Sequence, residues 1–161
     1  MSSLIVTVLL WAAALSSGLM AGIYFAFSGF IMRAFDNIDS VHSIAAMNSV
    51  NETILRSAFM PLFFGSSITS VLLIISGVFY WGEAGAGLMV LAGTVYFVGM
   101  FICTVLFNVP LNKRLERIKL SDVKSQQYWS YYLTTWTHWN HLRMSSSLVS
   151  CVLCMWISSN N

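Results

Sequence analysis

The chain has 161 residues, of which 57% are hydrophobic and only 9% charged, with a formal net charge of +2. An ordinary soluble domain carries roughly 25% charged residues, so a soluble fold is excluded, and so small a net charge argues against a nucleic-acid partner. The sequence reads as an integral membrane protein with the lipid bilayer as its first partner.

Uncharged runs predict four spanning helices at about residues 4–32, 57–82, 84–110 and 128–157, each near or above the roughly 20 residues that cross a bilayer. Continuous apolar runs without two-residue alternation exclude a β-barrel, the other structure that satisfies its backbone in lipid. The expected fold is all-α, an integral membrane four-helix bundle forming a single domain over 1–161.

The first span has no basic flank and is too long for a signal-peptide core, so it is expected to stay in the mature protein. Ala14, Gly18, Gly22 and Ala26 form a small-residue stripe, a face on which a neighbouring helix, or a second copy in a homo-oligomer, can approach closely. Tyr24 and Ser28 follow one turn apart. They either line a cavity mouth or anchor the helix at the interface.

From Asp39 or Ser40 as N-cap, a helical pattern runs through Val41, Ile44, Ala45, Asn48, Glu52 and Leu55. Asn48 and Glu52 therefore fall on a stripe begun by apolar residues, with Asn51 beside it. These residues either line a pocket or sit on a solvated helix, where a Glu52–Arg56 pair contributes a few tenths of a kcal/mol. Pro61 then kinks the second span or marks a fresh start.

The third span ends in Asn108-Val109-Pro110-Leu111-Asn112. The proline would deprive the Leu106 carbonyl of its partner, and the two amides either cap the helix or point inward. The following connection holds Lys113, Arg114, Arg117, Lys119 and Lys124, whereas the turn at Trp81-Gly82-Glu83 has no basic residue. The positive-inside rule then places the 1–2 and 3–4 connections in the cytoplasm and both termini on the non-cytoplasmic side, with a bacterial inner membrane as the expected location. Cys103, Cys151 and Cys154 lie in apolar spans and read as packed thiols.

The fourth span carries Trp136-Thr137-His138-Trp139-Asn140-His141-Leu142-Arg143. Strongly polar groups within a span face the bundle interior or a water-filled cavity, and so point to a site. At about 100° per residue, Trp129, Tyr132, Trp136, Asn140 and Arg143 share one face, with Thr134, His138, His141 and Ser145 roughly opposite. The i,i+3 spacing of His138 and His141 allows both to approach one transition metal or haem edge, although further ligands are not evident.

Under this topology Asn48, Asn51, Glu52, Asn108, Asn112, Asn140, His141 and Arg143 share one level, walled by Tyr24, Trp129, Tyr132 and Trp136. Amides and an arginine among aromatic walls suit a flat, partly oxygenated ring system, a hydrophobic aromatic small molecule.

Gly18…Ala21-Gly22-x-Tyr24, Asn51, Asn108-x-Pro110-x-Asn112 and Trp136-x-x-Trp139-Asn140-His141-x-Arg143 together resemble the small integral-membrane family that contains the fungal anthrone oxygenases. The resemblance covers nearly the whole chain. It implies oxidation of an anthrone to an anthraquinone by molecular oxygen with no cofactor required, and gives candidate status to Asn108, Asn112, Trp136, Asn140, His141 and Arg143. His138 has no matched position. This chemistry asks for a base, His141 or alternatively Glu52, and for an oxyanion holder, Arg143 with the amides. His141 and Arg143 point about 160° apart on an ideal helix, so both reach one substrate only where the pocket wraps the helix. Two other readings stay open: a haem- or metal-binding redox protein using His138 and His141, and a non-catalytic membrane subunit whose polar residues hold partner helices.

Overall fold

The computed structural model describes residues 4–118 and 123–160; Lys119 and the Lys124 side chain lie outside the described residues. Helix α1 spans Leu4–Asp36, α2 Ser40–Ile54, α3 Phe59–Phe79, α4 Ala86–Glu116 and α5 Val123–Ser159. Among the described residues there is no strand. Helices α1, α3, α4 and the Gln126–Ser159 part of α5 are long and apolar enough to cross a membrane. The all-α four-helix bundle is the observed fold. Helix α1 packs on α5 and α3, and α4 packs on α3 and α5, so the four long helices close a ring.

Helix α1 shows why the ring forms. Val6, Leu10, Ala13, Ser17, Met20 and Tyr24 recur at intervals of three and four and are buried, which is one helical face. Leu15, Leu19, Phe25 and Phe30 on its other side are exposed, as suits contact with lipid. The closest helix approach lies elsewhere than on the α1 small-residue stripe. A Cβ on Gly22 would meet nothing within 4 Å, whereas one on Gly77 would stand 2.7 Å from the Ala86 carbonyl oxygen. A Cβ on Gly93 would overlap the Ser70 carbonyl oxygen. Glycine therefore brings α3 and α4 together in the half of the bundle that also holds Val6, Leu10 and Ile157. We call that half the far end, and the half with the 1–2 and 3–4 connections the basic end.

At the basic end local chemistry sets the breaks. Asp39 caps α2, its carboxylate accepting the Val41 N–H at 2.9 Å, and the Ser43 hydroxyl donates back to the Phe35 carbonyl. The Ser57 hydroxyl donates to Ile54 O at 2.8 Å and accepts the Phe59 N–H at 3.2 Å. The chain thus restarts at Phe59, with Pro61 in the first turn of α3, where its missing N–H costs nothing. Helix α4, by contrast, runs past Asn112 to Glu116. Its Phe97–Ile102 and Thr104–Asn108 segments are π-helical. Those wider turns shift the hydrogen-bond register so that Pro110 opens the Val109–Glu116 segment instead of ending the helix.

Candidate functional site

A partly open cavity of about 810 Å³ lies toward the basic end, bounded by Ile23, Tyr24 and Phe27 of α1, by α2, by the start of α3, by the end of α4 and by Trp136 and Arg143 of α5. Small-molecule sites occupy about 300–1,000 Å³. Its walls include Phe27, Phe59, Phe63 and Phe101, and its polar lining includes Tyr24, Asn48, Asn51, Glu52, Asn108 and Asn112.

Arg143 is the buried charged group on its lining. It is 5% exposed, and its guanidinium carbon lies 4.4 Å from the Tyr24 ring centroid and 5.0 Å from that of Trp136. Nη2 donates to Asn140 Oδ1 at 2.7 Å, and Nη1 reaches Thr104 Oγ1 at 3.5 Å. Among the described residues no carboxylate pairs with it. Buried charges are ordinarily paired, and two ring faces and a neutral amide offset only part of this one.

Two relays position the lining. The Asn140 amide donates to Tyr24 O and to Ser28 Oγ, both at 2.7 Å, clamping α5 on α1 beside the π-helical segment Phe27–Ile31. Its carbonyl is thereby aimed at Arg143. In the second relay, the Tyr132 hydroxyl donates to Asn112 Oδ1 at 2.8 Å, and Asn112 Nδ2 donates to Asn51 Oδ1 at 3.0 Å, linking α5, α4 and α2. Asn108 Nδ2 reaches Trp136 O at 3.4 Å. Asn140 and Tyr132 thus hold the cavity from behind and do not line it.

Several polar atoms on the lining keep no hydrogen-bond partner among the described residues: Asn51 Nδ2, Trp136 Nε1, Arg143 Nε, the Tyr24 hydroxyl and Asn48 Oδ1. Thr104 and Arg143 lie beside the Tyr24 hydroxyl, but neither meets it in hydrogen-bond geometry. Residues that line the cavity thus carry four buried donors and one buried acceptor that keep no partner among the described residues. That arrangement fits an oxygen-bearing, flat ligand with developing negative charge.

The structure does not bring His141 to this cavity. Helix α5 is continuous through the motif, so the opposed directions of His141 and Arg143 persist: Arg143 is buried, while His141, His138, Thr134 and Ser145 are exposed. His138 lies edge-on to Trp139, which stacks on Phe107 at 3.7 Å. Among the described residues no group of three or more His, Cys, Asp or Glu side chains is placed to hold a metal, so the histidine pair has no third ligand of those types. Glu52 lies on the lining, 74% exposed and 3.9 Å from Arg56. Thr104 was not among the expected site residues, although its spacing one turn before Asn108 puts it on the same face.

No curated protein and no solved structure matches the chain. The family model described as anthrone oxygenase matches residues 54–153, well over half of the sequence. The match takes in α3, α4 and most of α5, with Asn108, Asn112, Trp136, Asn140 and Arg143, and the chain belongs to the anthrone oxygenase family.

Proposed function

We propose that this protein is a membrane oxygenase that converts a flat phenolic ketone of the anthrone type into the corresponding quinone, using molecular oxygen, in the cavity at the basic end. Family membership supports the reaction class. The observation that carries the reading is Arg143, a buried guanidinium on the lining of a ligand-sized cavity, without a carboxylate partner among the described residues. An enolate oxygen is the counter-charge it lacks.

Glu52 serves as the base in this scheme, in place of His141. It takes a proton from the substrate methylene, and the electron pair of the broken C–H bond passes onto the ring system as an enolate held by Arg143, Trp136 Nε1 and the Tyr24 hydroxyl. The electron-rich enolate transfers one electron to oxygen, and the carbon radical and superoxide combine into a peroxide at the former methylene carbon. Protonation gives a hydroperoxide. Loss of the remaining proton on that carbon, with O–O cleavage, yields the second carbonyl and water. Oxygen supplies all the oxidising equivalents, so the chemistry asks for no metal. With the basic connection in the cytoplasm, the proton-releasing rim opens to that side.

Oxygen uptake by protein purified in mild detergent, with a hydroxylated anthrone, tests this. The expected result is oxygen consumed and quinone formed in equal amounts above the buffer rate, with Glu52→Gln slowing turnover by about 10²–10⁴-fold. Folded protein that leaves the autoxidation rate unchanged sinks the reading.

A further inference from the structure

The cavity opens in two directions of different chemistry. Toward the basic end its rim is polar and charged, with Glu52, Lys113 and Glu116. On its flank, between α3 and α4, Phe64, Val105 and Val109 line the cavity and are 50%, 45% and 36% exposed, which marks a window there.

The window has firm edges. Toward the far end the Phe63 and Phe101 rings meet at 5.4 Å, and toward the basic end Asn112 bonds Asn51 at 3.0 Å. Between Phe101 and Asn112 the helix advances by at most about 16 Å, the α-helical value, which its π-helical turns shorten. Over that stretch the first turns of α3 do not pack closely on α4. Its depth follows from α3, whose 21 residues make about 31 Å of helix, the thickness of the hydrocarbon core. With Phe59 at one edge of the core, Phe64 lies inside it and Val105, one turn past the Phe101 that meets Phe63, lies at that edge; Ile68, Val98 and Leu106 are exposed and apolar.

Resting on the function proposed above, we propose that the substrate enters this cavity sideways from the bilayer, through the Phe64–Val105–Val109 window, as a neutral ring system dissolved in the hydrocarbon. The charged rim serves protons and not substrate. A neutral ketone partitions into lipid and passes an apolar window, whereas its enolate would bear the cost of an unpaired charge there. Ionisation thus follows entry: the methylene C–H bond breaks inside, its proton goes to the Glu52 carboxylate and then to water at the rim, and the electron pair stays with the substrate opposite Arg143. The quinone product, again neutral, returns by the window.

The test is the rate at which binding of a hydroxylated anthraquinone to the full chain, reconstituted in vesicles preloaded with that quinone, relaxes after a temperature jump, followed by the quinone's own emission. Val105→Trp narrows the window, and Ser49→Trp, at an exposed lining position of α2 three residues before Glu52, narrows the water-facing side. The expected result is association slowed about tenfold by Val105→Trp with the dissociation constant little changed, and unaltered by Ser49→Trp. Val109→Trp repeats the test should Val105→Trp fail to fold. Association indifferent to both window variants, association slowed by Ser49→Trp, or no association from loaded vesicles overturns the proposal. Oxygen uptake separates it from the oxygenase reading. Window-dependent binding without anthrone oxidation removes the oxygenase and keeps the window, whereas oxidation indifferent to Val105→Trp does the reverse.

Discussion

The two ends of the bundle treat polarity in opposite ways. In the far half and the middle, serine hydroxyls mostly fold back onto their own helices, Ser17 on Ala13 O, Ser67 on Phe63 O and Ser147 on Arg143 O, each at 2.6–2.7 Å, with the Tyr96 hydroxyl donating across to Ser66 Oγ as the exception. Helices there dock through glycine and apolar side chains. At the basic end the polar groups reach across helices, from Asn140 to Tyr24 and from Tyr132 through Asn112 to Asn51, and several buried atoms of the cavity-lining residues keep no partner among the described residues. A site in a membrane bundle is therefore marked less by how many polar residues it holds than by cross-helix bonds combined with unsatisfied donors. Serine alone is a poor marker, because a hydroxyl can satisfy itself locally.

The largest effect should follow from removing the charge at the basic end. Arg143→Gln is expected to lower kcat/KM for anthrone oxidation by about 10²–10³-fold, read by oxygen uptake. Arg143→Lys should recover little, since an ammonium lacks the planar fork that sits between Tyr24 and Trp136 and reaches Asn140. A Lys variant with near-wild-type turnover would mean that charge alone matters and that the clamp through Asn140 is packing. The complementary break is at the far end. Gly93→Leu pushes a side chain into the Ser70 backbone, which cannot yield as a flexible side chain does, and should destabilise by about 1–3 kcal/mol. Thermal unfolding in detergent measures this, while the molecules still folded keep their activity. Loss of activity in proportion to nothing but the remaining fold is what separates scaffold from site. Tyr132→Phe lies between the halves in kind: it removes one cross-helix donor, worth about 0.6 kcal/mol by the average for such bonds in membranes, and should raise KM more than it lowers melting temperature.

Much of this division was legible in the residues. Charge-free runs located the long helices, Asp39 announced the α2 cap, and the 100° periodicity sorted α5 into a Trp136–Asn140–Arg143 face and a His138–His141 face. Choosing between those faces required the neighbours. Asn140 bonds Tyr24 O and Ser28 Oγ beside a π-helical segment of α1, and nothing local in Phe27–Ile31 marks that turn as wider than its flanks. Pro110 misled for a related reason, because a shift of register upstream removed the break that proline ordinarily forces. The close approach at Gly93 was equally hidden. It pairs single residues on two helices with no stripe, whereas the regular Ala14–Gly18–Gly22–Ala26 spacing on α1 leaves Gly22 facing open space.

The smallest effect is expected at the rim, where the comparison between site and scaffold is easiest to blur. Glu52 and Arg56 stand 3.9 Å apart with side chains 74% and 84% exposed, so the pair is screened and each partner is held in place weakly. Arg56→Ala should shift stability by a few tenths of a kcal/mol at most and oxygen uptake by about twofold or less. Glu52→Gln, four residues earlier in the last turn of α2, should leave stability equally untouched while turnover falls steeply. Measured together by melting temperature and oxygen uptake, the two variants divide the ion pair into a structural and a chemical half. Equal losses of turnover in both would make Arg56 part of the machinery and move the boundary of the site out to the end of the α2–α3 connection.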